Sequence, residues 1–359
     1  MDASSSLPDR DRLRSLVAAM TGRPVVVLAD LVADRFISGT PKRISREAPV
    51  LILSYEGEQL TPGGGANAVA NVASLGGRPL PLGVVGNDAD GNELVNALAE
   101  RGVDVSGIRR RDGYRTPTKV RILAGARHAL KQQVVRYDVE DRLVLADDDR
   151  AAFATSLDRW RRELPEPPRS AVLSDYGYGC VEPALAAVLR GGLADGGRVV
   201  CDSRYRLADF GADGACDGAT PNEEEAEALF GGPLDDTDGG LDAAGERLRR
   251  HLTSRFLLIT RGSRGMSLFE AGSAMHVPVH GGDQVADVTG AGDTVIATFA
   301  LALAAGATPT EATLLANYAG SVVVMKMGTA TLTADELTAA IDATPAPLAE
   351  RHRHAEEPR

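Results

Sequence analysis

The sequence predicts an α/β protein, a mostly parallel sheet with helices on both faces and a small β-sheet lid beside it. Compact apolar runs of the buried-strand type recur along the chain, at 25–29, 81–85, 171–174, 198–202 and 256–260. A strand covered on both faces reads as such a run. Helical stretches separate these runs, and strand–helix alternation of this kind builds a parallel sheet. Two zones, 36–61 and 115–138, look extended without an intervening helix. Together they predict the lid.

Residues 1–24 are polar, then weakly amphipathic through Leu13, Leu16, Val17 and Met20, and end at Gly22-Arg23-Pro24. They predict a short helix or a loose N-terminal extension. The main domain is expected over 25–340. The helical stretches within it are 66–75, 91–101, 183–190, 223–229 and 241–252. Ile44, Val50, Ile52 and Leu53 supply the apolar positions of the first lid zone, and Val120, Ile122, Val134 and Val135 those of the second. The tail, 341–359, is rich in Pro, Arg, His and Glu towards its end and is expected to be disordered.

At 359 residues with 43% hydrophobic and 25% charged residues, the chain has enough apolar material for a sizeable core. The formal charge of −11 argues against nucleic acid as a partner. No run of 18 apolar residues predicts a membrane span, and 1–6 lack a secretory pattern. The expected location is the cytoplasm. Cys180, Cys201 and Cys216 show no metal or disulfide spacing and read as buried thiols. The six histidines form no ligand motif. Lys42, Lys119, Lys131 and Lys326 are the only lysines among 39 cationic residues, so arginine must carry most cationic contacts.

The segment with the sharpest chemistry is Asp287-Val288-Thr289-Gly290-Ala291-Gly292-Asp293-Thr294, ahead of the apolar stretch 295–304. Gly290 and Gly292 allow a tight turn with successive N–H groups exposed at a helix start, where the dipole favours an anion. Asp293 sits where a carboxylate could deprotonate a hydroxyl attacking a phosphoryl group. The dipole is expected to keep its pKa low. The N–H groups of Gly290, Ala291 and Gly292 would stabilise the transferring phosphoryl. Asp30 and Asp34 follow the first strand, where α/β sheets present ligand groups.

This segment resembles the ribokinase-like carbohydrate kinase family of the PfkB type. Three further stretches resemble it in family order: Gly63-Gly64-Gly65-Ala66-Asn67 to Ala73, Thr220-Pro221-Asn222-Glu223-Glu224-Glu225, and Thr260-Arg261-Gly262-Ser263-Arg264-Gly265. The resemblance implies a three-layer ribokinase-like sandwich using ATP and Mg²⁺, with a monovalent cation as a further candidate. It places Gly64, Gly65 and Asn67 against the sugar. Asn222, Glu223, Glu224, Glu225, Thr260, Gly262, Gly265 and Asn317 would border the nucleotide, Glu225 facing the metal.

Within that family the run Asp34-Arg35-Phe36, then Arg43-Ile44-Ser45-Arg46-Glu47-Ala48-Pro49-Val50, with Leu173-Ser174-Asp175-Tyr176 and Gly328-Thr329, is similar to the heptose 7-phosphate kinases of the ADP-heptose pathway. That implies phosphorylation of the anomeric 1-hydroxyl of a heptose 7-phosphate. A separate nucleotidyltransferase is expected to follow it. The sugar phosphate would need cations, and Arg35, Arg43, Lys119, Arg121 and Arg136 are the candidates. The chain departs from those kinases at Ala29, where they have Gly, at Tyr178, where they have Lys, and at Ser203-Arg204, where they have Pro-Lys. Another sugar kinase, or a non-catalytic sugar-phosphate sensor on the same fold, are the competing readings. An exposed lid edge predicts a homodimer.

Overall fold

The structure, a computed structural model, describes residues 7–126, 131–211, 214, 216–235, 239–281, 285–344 and 349–353. In chain order its elements are α1 (Arg10–Ala19), β1 (Pro24–Ala29), β2 (Leu31–Ile44), β3 (Leu51–Gly64), α2 (Gly65–Ser74), β4 (Arg78–Gly86), α3 (Ala89–Ala99), β5 (Ile108–Arg111), β6 (Thr118–Ala124), β7 (Gln132–Val139), α4 (Asp147–Glu163), β8 (Ser170–Asp175), α5 (Ala184–Gly192), β9 (Arg198–Ser203), α6 (Leu207–Gly211), β10 (Gly218–Ala219), α7 (Glu223–Phe230), α8 (Gly240–His251), β11 (Phe256–Thr260), β12 (Met266–Glu270), β13 (Ser273–Val277), α9 (Ala291–Ala304), α10 (Pro309–Val323), α11 (Ala334–Ala343) and β14 (Glu350–Arg353).

Val25, Val27 and Ala29 of β1 enter one apolar core, while Val26 and Leu28 enter another. That two-faced burial is why the strand reads as an unbroken apolar run. The large sheet runs β14-β13-β12-β11-β10-β9-β8-β1-β4-β5. It is parallel from β11 to β5 and antiparallel from β11 outward to β14. One core is filled from α1, α2, α9, α10 and α11 by residues such as Leu16, Val69, Phe299, Leu315 and Leu337. The other takes Phe153, Trp160, Leu185, Phe210 and Leu248 from α4, α5, α6 and α8. The result is the three-layer α/β arrangement the sequence predicts.

The smaller sheet runs β3-β2-β6-β7. β2 starts at Leu31, directly after β1, so the lid grows out of the main sheet without a linker. Strand parity sorts its side chains. Asp34 pairs in register with Lys119, and Lys119 with Asp138; Phe36 pairs with Arg121, and Arg121 with Arg136. These six share one face of the lid. Arg35, Ile37, Val120 and Ile122 alternate with them and belong to the other face.

The N-terminal extension is a helix. Asp9 caps α1 by accepting the Arg12 N–H, and the Arg12 Nε lies 2.7 Å from Glu311 on α10. The expectation of a disordered tail over 341–359 needs correction where the structure describes it. α11 runs to Ala343, and β14 adds to the open edge of β13. An edge strand offers unpaired N–H and C=O groups, and the tail satisfies them despite its polar composition. Residues 345–348 and 354–359 lie outside the described residues. Among the described residues no helix is long and apolar enough to cross a membrane.

Candidate active site

α9 opens at Gly290, whose φ of 77° is left-handed. A side chain there would bring its Cβ within 2.5 Å of Asn67 Nδ2. Asn67 and Asn71 sit one turn apart on α2, and α2 packs against α9. Asn67 Nδ2 donates to the Gly290 carbonyl and to Asp293 Oδ2, both at 3.2 Å. Tyr176, just past β8, donates its hydroxyl to Asp293 Oδ1 at 2.7 Å. Asp293 is therefore a buried carboxylate held from two sides.

Burial pushes the Asp293 carboxyl up to about 7, against the opposing effects of Tyr176, Asn67 and Lys119. The expectation of a low pKa from the helix dipole is overturned because desolvation of the ionised form outweighs the helix start. Burial also drives the Tyr176 phenol well up, which keeps it a donor. Ala291 N–H donates to the Val288 carbonyl at 3.2 Å, closing the turn. Gly292 and Asp293 stand in the first turn, where N–H groups have no intrahelical acceptor.

Lys119 lies with its Nζ 4.9 Å from the Tyr176 ring centroid, and burial lowers its pKa against the pull of Asp34 and Asp293. Arg121 donates to Asp34 Oδ1 at 2.6 Å, and both are buried. Gly63 lets the chain pass over Asp34, since a Cβ there would sit 2.6 Å from the carboxyl. Gly64 packs against Val32 and Tyr176, and Gly65 against Ala29. Arg136 forks onto Asp138 at 2.6 and 2.8 Å. Lys119, Arg136, Arg142 and Arg204 line a cavity of about 460 Å³ with Tyr176, Tyr178 and the carboxylates Asp138, Glu140 and Asp141.

Three of the expected sugar-side residues are placed elsewhere. Asp30 is buried and accepts N–H groups of Tyr176, Tyr178 and Cys180, each at 2.9 Å. Its carboxylate holds the turn after β8. Burial raises its pKa to about 6 against those three donors. Arg35 is on the opposite lid face, with Asp90 at 2.6 Å, Glu93 at 2.7 Å and Glu58 at 3.2 Å. Arg43 is exposed near the outer end of β2.

On the other side of Asp293, Asn222 caps α7. Its Oδ1 accepts the Glu225 N–H, and Glu225 Oε2 accepts the Asn222 N–H, both at 2.9 Å. Glu223 pairs with Arg264 and Glu224 is exposed. Thr260 N–H donates to the Pro221 carbonyl at 3.0 Å, and Gly262 and Gly265 flank the turn that follows. Asn317 donates to the Pro278 carbonyl at 2.9 Å and lines a cavity of about 200 Å³ with His280 and Tyr318.

Between these two groups lies Asp202, at the end of β9. Burial, with Glu225, Asp293 and Asp175 nearby, drives its carboxyl well up. Glu225 is raised too, by burial, with Arg204 acting against the rise. Asp202 and Glu225 are half-buried carboxylates close enough for Glu225 to raise Asp202, and oxygen donors of this kind suit a hard cation. Mg²⁺ with the nucleotide phosphates fits Asp202 and Glu225 on that ground. Tyr176 and Asp202 were not singled out from the sequence. The Ser-Asp-Tyr and Asp-Ser-Arg stretches were the available signal, but nothing local ties them to Asp293.

The family model described as pfkB family carbohydrate kinase matches residues 26–148 and 209–336. A bifunctional protein HldE of Mesorhizobium japonicum is 39% identical over 345 residues, covering 96% of this chain and 67% of its own length. One from Nitrosococcus oceani is 40% identical over 327 residues, covering 89% and 64%. The chain thus spans about two thirds of the length of these relatives. Among solved structures, Arabidopsis thaliana ribokinase complexed with ribose and ATP matches with a TM-score of 0.68 at 22% identity, over 90% of this chain and all of that one. Escherichia coli phosphofructokinase-2 with substrates and products matches with 0.69 at 19%, over 89% and 98%. At those identities the likeness is one of fold.

Proposed function

The chain belongs to the pfkB family of carbohydrate kinases and is an ATP-dependent carbohydrate kinase, and from that premise we propose that it phosphorylates the anomeric 1-hydroxyl of a heptose 7-phosphate. The observation that carries the mechanism is the buried Asp293 carboxylate, oriented by Tyr176 and Asn67 under a cationic lid face. A base with a pKa near the working pH is suited to accept a proton in the transition state. Asp293 accepts the proton of the attacking hydroxyl. The helix start at Gly290–Gly292 faces the transferring phosphoryl. Asp202 and Glu225 would hold Mg²⁺, which neutralises phosphate charge when bound. Asn222, Thr260, Gly262 and Asn317 border the nucleotide.

The sugar phosphate occupies the cavity between Lys119, Arg136, Arg142 and Arg204 in this reading. Arg204 stands where similar heptose kinases carry lysine, and Tyr178 donates to Glu140 at 3.2 Å where they carry a cation. Arg204 keeps a cationic charge at its position, and a bidentate guanidinium can replace a lysine point charge. The similarity of 34–50 to the heptose 7-phosphate kinases favours this substrate over ribose or fructose 6-phosphate. ADP release should be stimulated most by a heptose 7-phosphate when these sugars are compared at equal concentration. A preference for ribose or fructose 6-phosphate overturns the substrate, and no stimulation by any sugar overturns the kinase mechanism.

The outer lid face carries exposed Ile44, Leu51, Tyr55, Val134 and Val135 around an apolar cleft. This face is proposed to pair with a second copy. Tyr55→Asp should convert a dimer to a monomer by sedimentation velocity; a monomeric unmutated protein contradicts the pairing. A separate nucleotidyltransferase downstream in the pathway completes the proposal.

A further inference from the structure

We propose that Asp242, His276 and His352 form a binding site for Zn²⁺ or a similar borderline divalent ion, which fastens β14 to the sheet. The three side chains come from α8, β13 and β14. The register pairs Ala274 with His352, so His276, two residues along, projects to the same face. Asp242 is buried beneath them in the first turn of α8. Its Oδ1 is 2.7 Å from His276 Nε2 and its Oδ2 is 2.7 Å from His352 Nδ1. All three donor atoms lie within 4.8 Å of one another.

The chemistry selects the class of ion. Two imidazoles and a carboxylate are a zinc donor set, whereas Mg²⁺ and Ca²⁺ take oxygen ligands. His276 has the outer partner expected of a metal-bound histidine, with Ser267 Oγ 2.8 Å from its Nδ1. Edge contacts with Phe269 at 6.0 Å and with the His352 ring at 5.3 Å hold its plane. Metal–ligand bonds of about 2.0–2.2 Å give donor–donor edges of about 3.3 Å, so each 2.7 Å gap must open slightly. His352 can provide that movement, because its side chain is 41% exposed. That open side also leaves room for water as the fourth ligand. None of these residues belongs to the Asp293 site, so the proposal is independent of the kinase mechanism.

The test uses the full chain, stripped with EDTA and equilibrated with Zn²⁺ in the presence of excess Mg²⁺ to fill oxygen sites. Equilibrium dialysis with atomic emission should find one tightly held zinc per chain and a raised Tm. Co²⁺ in its place should give the visible absorption of a tetrahedral ion. His352→Gln and Asp242→Asn should each weaken zinc binding 10–100-fold. His352→Gln should keep the far-UV spectrum and the EDTA-state Tm of the unmutated chain, showing that it folds. The absence of stoichiometric zinc overturns the proposal, leaving a hydrogen-bonded His–Asp–His cluster. Undiminished zinc in both variants places the ion elsewhere and overturns it too.

Discussion

Asp293→Asn is expected to lower kcat by about 10²–10⁴-fold, the usual worth of a positioned general base, while ATP binding is retained. The amide keeps the oxygen that accepts from Tyr176 but cannot take the proton. In the unmutated enzyme the carboxyl titrates near 7, so kcat/KM should fall about tenfold per pH unit below that value. The same shift sets a stability effect whose sign can be worked out. The folded-state pKa lies above the unfolded value of about 3.9, so the folded state binds the extra proton between them. Asp293 therefore reduces stability progressively as pH rises from about 4 to 7, and the full cost remains above 7. Asp293→Asn removes that cost but loses the hydrogen bond from Asn67, so its Tm relative to the unmutated protein should rise by a few degrees from pH 5 to pH 8. Thermal melts of both proteins at pH 5 and pH 8 check this. An active variant, or one whose Tm relative to the unmutated protein does not rise from pH 5 to pH 8, removes Asp293 from its role as a buried base.

The second large effect is expected at Arg121. Replacing it with Met leaves the Asp34 carboxylate buried without its cation, at a cost of about 3–5 kcal/mol. The Arg121 guanidinium also covers the Phe36 ring at 5.3 Å, and Met retains only part of that packing. The loss should fall on β2, β3 and β6, and read out as faster amide exchange there than in β1 or β8. Adding Asp34→Asn should recover most of the stability by removing the unpaired charge. Activity should not return, because the cationic lid face remains incomplete. A single variant as stable as the unmutated protein would mean that Lys119, the register partner of Asp34, takes over its charge and that the Arg121 pair is not needed for stability.

The fold was largely legible because β1, β8, β9 and β11 are buried on both faces and so stand out as apolar runs. The helix starting at Gly290 was legible from its glycines and the Ala-rich stretch behind it. The lid zones were legible as extended but not in parity, and parity decides which residues face the sugar. Arg35 and Asp34 are neighbours in sequence and lie on opposite faces of β2. Asp30 looked like a ligand because it follows a strand. Its three N–H donors come from 176–180, a long-range closure invisible in the sequence. Tyr176 was missed for the same reason, since it meets Asp293 across 117 positions. The helix dipole at Asp293 is local and can be read from sequence, whereas the burial that outweighs it is set by the packing of α2, α9 and the lid together. β14 was missed because its polar residues gain order from an edge strand and from Asp242, neither of which its own composition encodes.

The scarcity of lysine has a narrower meaning in three dimensions. Lys119 is beside Asp293 and Tyr176, and arginines fill the remaining cationic positions of the sugar-side cavity. The most direct test of the catalytic assignment is the position of the new phosphate. A heptose 7-phosphate incubated with ATP, Mg²⁺ and the enzyme should yield, by ³¹P NMR with proton correlation, a second phosphate coupled to the C1 proton. A phosphate on any other carbon, or ATP turnover without a phosphorylated heptose, would contradict it.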